Sequence, residues 1–148
     1  MGANQLKISL VQSNSIVGGI IINAECVCEK ANEAAKKGSD LIVFPEMFLS
    51  GYQPLDLVSK QSFLEDIFFQ AQNIAQQTES INIRILIGVP WRLDNKIYNA
   101  LISIFKGSIK VVSKKSHLPN YDVFDEKRFF VSGDGLDLLD LGNIKVGF

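Results

Sequence analysis

Hydrophobic positions in the first third of the chain follow the periods of strands and helices in turn. Residues 6–12 alternate apolar and polar side chains, which predicts a first strand. Apolar residues at helical spacing then predict a helix with Asn23 as its N-cap and Gly38 just beyond its C-terminus. The continuous apolar run 41–44 predicts a strand that is covered on both faces.

The rest of the pattern predicts a second helix and then mainly strands. Ser62 and Glu65 have the spacing of a capping box at the start of an amphipathic helix, which follows a loop over 46–54. A long polar segment covers 114–135. The order of elements indicates an α/β sandwich with helices on one face of a mixed sheet. The later strands are predicted over 83–89, where Pro90 ends the run, over 97–105 and 108–113 as a hairpin, and over 136–141 and 144–148 on either side of Gly142-Asn143.

Length and composition limit the classes of protein to which the chain can belong. With 148 residues, 47% of them hydrophobic, it is expected to form one ordered domain over 6–148, after an appended or disordered start at 1–5. The 15 basic and 16 acidic residues nearly cancel, so charge does not indicate nucleic acid or an anionic membrane as a partner. The sequence has neither a signal-peptide pattern nor the apolar run of roughly 20 residues that crosses a bilayer. A cytoplasmic location is therefore expected.

Glu46 is the first residue placed where chemistry could occur. It directly follows the apolar run 41–44, and α/β sheets bind ligands at the ends of such strands. Its aromatic neighbours Phe44, Phe48 and Tyr52 are expected to shield the carboxylate from water, which would suit it to general base catalysis. The alternative, which position alone favours, is a structural carboxylate that caps a turn.

Lys115 and Glu126 are further candidates, both within the polar segment. A lysine at a strand end, such as Lys115, could stabilise a developing oxyanion, whereas a solvated basic pair with Lys114 is the alternative. Glu126 lies among charges bracketed by aromatic residues, which fits carboxylates and a guanidinium paired under partial burial. A purely structural Glu–Arg network remains open for that cluster. His117 is interpreted as a turn or core histidine rather than a general base.

Neither a reactive thiol nor a metal site is expected from the cysteines. Cys26 and Cys28 fall in the middle of the first predicted helix, on different faces. Reactive cysteines usually lie at a helix N-terminus, in a sharp turn or beside a cation. Because His117 is the only histidine, a Cys/His metal site is not expected either.

Two segments resemble motifs of the nitrilase (carbon–nitrogen hydrolase) superfamily. Residues 41–52, LIVFPEMFLSGY, resemble its strand–glutamate–GY signature. Residues 115–130, KSHLPNYDVFDEKRFF, resemble its lysine motif, in the form typical of the glutaminase domain of glutamine-dependent NAD synthetases. Tyr98-Asn99-Ala100 fits the same pattern, and the resemblance extends over about residues 6–148.

The resemblance implies a fold and a set of site residues. The fold would be the α-β-β-α sandwich of nitrilases, of which this chain supplies the N-terminal part. The family's Glu–Lys–Cys triad and its second glutamate imply catalytic roles for Glu46, Lys115 and Glu126, with Tyr52 and Tyr121 binding the substrate. The implied reaction is hydrolysis of the side-chain amide of glutamine, with a glutamate base, a thiolate nucleophile and a lysine that stabilises the oxyanion.

The resemblance also implies partners outside these 148 residues. The nucleophilic cysteine is expected a few residues beyond Phe148, so the chain alone is expected to be inactive. Ammonia would pass to a synthetase domain of the same polypeptide, which uses ATP and Mg to amidate deamido-NAD to NAD. No cofactor is expected in the present domain. The protein is expected to assemble as a homo-oligomer. Two alternatives stay open: another nitrilase-superfamily amidase that acts on a small linear amide, and a non-catalytic chain that serves assembly or regulation.

Overall fold

A computed structural model describes residues 5–134, 138–141 and 144–147. Residues 1–4 of the predicted start at 1–5, the turn Gly142-Asn143, and the outer ends of the last two predicted strands lie outside these residues. None of the described helices is long and apolar enough to cross a membrane. The elements, in chain order, are β1 Ile8–Leu10, α1 Ile20–Lys36, β2 Leu41–Val43, a 3-10 helix Leu55–Ser59, α2 Gln61–Gln77, β3 Arg84–Leu93, β4 Lys96–Phe105, β5 Ser108–Lys114, α3 Glu126–Phe129, β6 Leu138–Asp140 and β7 Lys145–Gly147.

The first five strands form one mixed sheet in the order β1-β2-β3-β4-β5. β1, β2 and β3 are parallel, because α1 and α2 carry the chain back between them. β4 and β5 are antiparallel to their neighbours, because the two-residue turns Asp94-Asn95 and Lys106-Gly107 join them. All four turn residues have positive φ angles, as hairpin turns of type I′ require.

Alternating residues of the central strands separate two cores. Ile42 of β2 and Ile85 of β3 join the larger core, which contains the buried faces of α1 and α2. Their neighbours Leu41 and Leu86 face the other way and pack with Leu139 of β6. Because β6 and β7 form a separate antiparallel sheet, the described layers are stacked in the order α-β-β. The predicted sandwich, with helices on one face of a mixed sheet, is confirmed.

The predicted N-cap of the first helix is wrong. α1 begins at Ile20, so Asn23 lies inside the helix, where it is buried. Its side chain accepts a hydrogen bond from the N–H of Ile16 and donates to the carbonyl groups of Ile16 and Leu49. Leu49 belongs to residues 44–54, which we call the glutamate loop. Asn23 therefore fastens this loop to the helix layer instead of capping α1.

The predicted capping box of the second helix is also wrong. α2 begins at Gln61, and no side chain of the described residues caps it. Ser62 thus lies inside the first turn, while the carboxylate of Glu65 accepts a hydrogen bond from Gln61 at 2.7 Å. The 3-10 helix Leu55–Ser59 ends just before α2, so the backbone already turns as it enters the helix.

Pro90 does not end the third strand, contrary to the prediction. β3 continues through Pro90 to Leu93, and Pro90 pairs with Asn99 of β4. The backbone carbonyl of Asn99 is used on the other side of β4, where it accepts the N–H of Lys115. β2 has already ended at Val43, so no described strand lies beside Pro90 to require the N–H that proline lacks.

Candidate active site

The glutamate loop passes close over β3 at Gly88. A Cβ atom on Gly88 would lie 2.6 Å from the Cα of Glu46 and 2.7 Å from the backbone N of Met47. Met47 has a φ of 53°, and its side chain is buried in the larger core together with Phe48. The position of Glu46 is therefore fixed by the close contact of its backbone with Gly88 and by the buried side chains of Met47 and Phe48, which follow it.

Substitution of Gly88 by alanine is expected to destabilise the protein and displace Glu46. The added methyl group meets backbone atoms, which cannot rotate away, so the free energy of unfolding should fall by about 1–3 kcal/mol. A displacement of Glu46 by about 1 Å should also lower any activity that depends on it, by about tenfold or more. Denaturant unfolding and amide hydrolysis by the natural full-length protein measure the two effects.

Gly38→Ala is the matched control for this glycine. Gly38 has a φ of +73°, and a Cβ atom there would meet no other atom within 4 Å. Backbone strain alone should cost about 1 kcal/mol or somewhat more, with no effect on Glu46. If Gly88→Ala lost stability but kept full activity, the position of Glu46 would not depend on Gly88.

A β-bulge brings Lys115, and not Lys114, to the same side as Asn99. In the pairing of β4 with β5, Leu101 lies opposite Ser113 and Ile102 opposite Val111, which leaves Val112 as an extra residue. Beyond the bulge, the N–H of Lys115 donates to the carbonyl of Asn99 at 2.8 Å. Without the extra residue, the register would place Lys114 opposite Asn99.

Lys114 points elsewhere and makes different contacts. Its Nζ lies 2.5 Å from a carboxylate oxygen of Asp134 and 5.0 Å from the centre of the Tyr98 ring. Tyr98 precedes Asn99 on β4, so its side chain and that of Asn99 lie on opposite faces. The structure thus separates two adjacent lysines that the sequence presents as a pair.

Lys115 joins two carboxylates that are distant in the sequence. Its Nζ lies 2.9 Å from Oε1 of Glu46 and 2.9 Å from Oε1 of Glu126. Glu126 is the first residue of α3, a short helix inside the polar segment that the pattern did not predict. Its backbone N–H donates to the carbonyl of Pro119 at 3.2 Å, which fixes the start of that helix. The three predicted catalytic side chains are therefore in direct contact.

The two carboxylates keep Lys115 charged. Burial lowers the pKa of Lys115, but the hydrogen bonds and charges of Glu46 and Glu126 raise it, and the net pKa lies above the ordinary value. Lys115 is therefore an ammonium group at neutral pH. An ammonium has three N–H donors, and the two carboxylates use two of them. The third can be donated to an oxygen of a bound molecule.

Glu46 is more exposed than its aromatic neighbours suggested. The Glu46 side chain is 42% exposed, whereas that of Glu126 is only 10% exposed. Phe44 and Phe48 pack against each other in the larger core, with ring centres 5.0 Å apart, and Tyr52 is itself exposed. The expected shielding of Glu46 is therefore wrong, because those rings complete the core beneath the loop.

A small cavity lies beside Glu126. Among the described residues, Oε2 of Glu126 is buried without a hydrogen-bond partner, so a donor is missing from its surroundings. Tyr52 and Phe129 also line this cavity, while Tyr121 lines a separate, open cleft beside Lys115. The structure thus places the two predicted substrate-binding tyrosines in different spaces, one lined by Glu126 and the other by Lys115.

The family of the chain follows from comparison with known proteins. Residues 7–148 match the family model described as carbon-nitrogen hydrolase. The chain belongs to the carbon–nitrogen hydrolase family. This confirms the resemblance inferred from the glutamate and lysine motifs.

Several relatives within the carbon–nitrogen hydrolase family are glutamine-dependent NAD(+) synthetases. The enzyme of Thermotoga maritima is 41% identical over 143 residues, which are 97% of this chain and 25% of that protein. The enzyme of Aquifex aeolicus is 35% identical over 143 residues, with the same coverage of 97% and 25%. The chain thus spans about a quarter of the length of these curated relatives.

Solved structures of carbon–nitrogen hydrolases share the fold. The glutamine-dependent NAD+ synthetase of Acinetobacter baumannii, solved with ADP, has a TM-score of 0.85 and 31% identity, and the match covers 96% of this chain and 27% of that one. A mutant amidase from Nesterenkonia of the nitrilase superfamily has a TM-score of 0.79 at 19% identity, over 96% of this chain and 54% of that one. The second likeness shows the fold alone, and both confirm a nitrilase-type architecture.

The other candidate residues from the sequence lie outside the cluster of Glu46, Lys115 and Glu126. His117 is exposed in the segment after β5 and lines the open cleft beside Lys115. Cys26 and Cys28 are free, half-buried residues of α1, and burial raises the pKa of the Cys28 thiol. Within the described part of the chain, no three His, Cys, Asp or Glu side chains are grouped as a metal site.

Asn99 is the site residue that sequence reasoning missed. It was noted only as part of the Tyr98-Asn99-Ala100 motif, but its side-chain amide donates to Oε1 of Glu46. The available signal was a polar amide within a largely apolar strand, where burial without a partner is costly.

Proposed function

We propose that this chain supplies the acid–base residues of a glutaminase site whose ammonia serves the amidation of deamido-NAD to NAD. One observation carries the proposal. Lys115 bridges Glu46 and Glu126 at 2.9 Å each, in a chain whose relatives are glutamine-dependent NAD(+) synthetases. The nucleophile in this proposal is a cysteine thiol of the natural full-length protein. The Nesterenkonia amidase, which shares the fold, also has an active-site cysteine.

Glu46 acts as the general base of the proposed reaction. Its carboxylate takes the proton of the thiol, and the thiolate attacks the side-chain carbonyl carbon of glutamine. The tetrahedral intermediate collapses as the amide nitrogen receives that proton and leaves as ammonia. Glu46 then removes a proton from water, the resulting hydroxide attacks the thioester carbonyl, and the C–S bond breaks. Glutamate is released, and Glu46 returns the proton to the cysteine sulfur. Because Glu46 is exposed near the cavity, water can reach its carboxylate for this step.

Lys115 stabilises the oxyanion that forms during each attack. Two of its three N–H donors are held by Glu46 and Glu126, and the third is directed to the substrate oxygen. Glu126 has the complementary role of fixing the ammonium group from the less exposed side. The two carboxylates also raise the pKa of Lys115, so Lys115 keeps its proton.

The glutamine side chain is proposed to occupy the cavity beside Glu126. Tyr52 lines that cavity, and its hydroxyl accepts a hydrogen bond from Gln53 at 3.3 Å. Tyr121, which is 66% exposed in the adjoining cleft, would contact the amino-acid end of the substrate. A polar tip on an apolar ring suits both positions, because each space has apolar and polar lining.

The rest of the proposal concerns the protein beyond this chain. A synthetase domain that uses ATP and Mg would receive the ammonia, and the ADP bound to the Acinetobacter baumannii enzyme supports a nucleotide site in such relatives. We propose no cofactor for the present domain, assembly as a homo-oligomer and a cytoplasmic location. These proposals rest on the family resemblance and not on a contact within the chain.

Ammonia release by the natural full-length protein tests the proposal. L-glutamine should give ammonia and glutamate in equal amounts, with kcat/KM about a hundredfold above that for butyramide, because polar recognition of a substrate is selective. Faster hydrolysis of butyramide would favour the small-amide alternative, since a Nesterenkonia amidase variant has been solved with that compound. Release from neither substrate would leave the non-catalytic alternative.

A further inference from the structure

We infer that Asn99 is a positioning residue that orients the carboxylate of Glu46 so that Oε2 takes the proton. The inference deepens the proposed function and rests on it. Asn99 lies on β4 and is 6% exposed, whereas Glu46 lies on a loop and its side chain is 42% exposed. A rigid, buried amide thus contacts a carboxylate that has several rotatable bonds.

The contacts of Asn99 involve both elements of the proposed acid–base pair. Its Nδ2 donates to Oε1 of Glu46 at 2.5 Å, and its backbone carbonyl accepts the N–H of Lys115 at 2.8 Å. The side chain therefore sets the orientation of the base, while the backbone sets the register of the lysine. Only the first of these contacts is removed when the side chain alone is changed.

Both donors converge on one oxygen of Glu46. Nζ of Lys115 and Nδ2 of Asn99 each bond to Oε1, and within the described residues no hydrogen bond reaches Oε2. Oε1 is thereby the anchored oxygen, and Oε2 keeps its lone pairs for a proton. A carboxylate held this way has one reacting oxygen instead of two that exchange by rotation.

Lys115 alone could not impose this orientation. An ammonium on a flexible stem is a point charge without directional preference, so it follows a carboxylate that rotates. The amide of Asn99 has a fixed plane, and its strand is packed on both faces. Supporting residues of this kind hold a reacting group within a fraction of an ångström of its productive geometry.

Two substitutions in the natural full-length protein test the inference. Asn99→Leu keeps the branched shape but removes the donor, and it should lower kcat for glutamine hydrolysis by about thirtyfold with KM changed less than about threefold. Asn99→Asp keeps the shape but places a second carboxylate against Glu46, so the acidic limb of the kcat/KM pH profile should move to higher pH. If the side chain at position 99 did not contact Glu46, that limb would stay in place.

Ser103→Ala is the matched control on the same strand. Ser103 is 2% exposed, and its Oγ accepts a hydrogen bond from Arg84 at 3.0 Å, away from the charged cluster. The control loses one partly buried hydrogen bond, as the Asn99 variants do. It should keep both kcat and the pH profile of the unchanged protein.

A double-mutant cycle shows whether Asn99 acts through Glu46. In a Glu46→Gln background, Asn99→Leu should change the residual rate less than about twofold, because the group it orients is already absent. Independent, multiplicative losses would overturn the inference. So would an unchanged pH profile in Asn99→Asp, even if Asn99→Leu failed to fold. An unchanged protein that hydrolysed no amide would instead overturn the proposed function, and the inference with it.

Discussion

Lys115→Met is expected to lower ammonia release from glutamine by about a thousandfold. Methionine has a similar length but no N–H donor, so the oxyanion would lose its charged partner. The two carboxylates would also lose the cation that lies 2.9 Å from each of them. A steady-state assay of the natural full-length protein with glutamine measures the effect as a loss of kcat.

The neighbouring lysine provides a close control. Lys114→Met removes the same charge one residue earlier, from the side chain that contacts Asp134 and the Tyr98 ring. Its activity should stay within about threefold of the unchanged protein, as is usual for an exposed ion pair. Equal losses in Lys114→Met and Lys115→Met would contradict the roles that the bulge at Val112 assigns to these two residues.

Glu46→Gln is expected to lower the same activity by about a thousandfold, within the range for loss of a general base. Glutamine keeps a carbonyl oxygen that can accept from Asn99 and Lys115, so the geometry should survive while the basicity is lost. The rate of thiol alkylation by a glutamine-analogue electrophile should fall in parallel, because the base no longer takes the thiol proton.

A glutamate elsewhere in the fold separates this effect from a general loss of charge. Glu65→Gln on α2 removes a carboxylate whose hydrogen-bond donor, among the residues that the structure describes, is Gln61 on the same helix. It should leave both hydrolysis and alkylation unchanged. Retention of more than about a tenth of the activity in Glu46→Gln would show that Glu46 is not the base.

The local sequence pattern predicted most of the fold. Strands came from alternating or continuous apolar residues, and one of the two hairpins from the turn residues Lys106-Gly107, which have positive φ angles. The errors fell at element ends. Asn23 and Ser62 have the chemistry of caps, but the chain enters both helices from turns that begin earlier. Pro90 stops a strand only where its missing N–H would face a neighbour, and that depends on where β2 ends.

The candidate site, like the fold, was predicted in part from the sequence. The sequence placed a carboxylate after β2 and a lysine after β5, and the family motifs singled out Lys115 over Lys114. Neither periodicity nor composition could show that Glu46 would be exposed, because the packing of Phe44 and Phe48 is decided by the core beneath the loop. The contact between Asn99 and Glu46 was equally hidden, since 53 residues separate them in the chain.

The sequence by itself determined most of the elements, their order and the residue types available for acid–base chemistry, because these depend on neighbours a few positions away. The tertiary structure decided which of two adjacent lysines meets the carboxylates. That choice depends on the bulge at Val112, which shifts the register of β5 against β4 by one residue. Because side chains alternate along a strand, one inserted residue exchanges the two faces, and only the packing of both faces fixes where it is inserted.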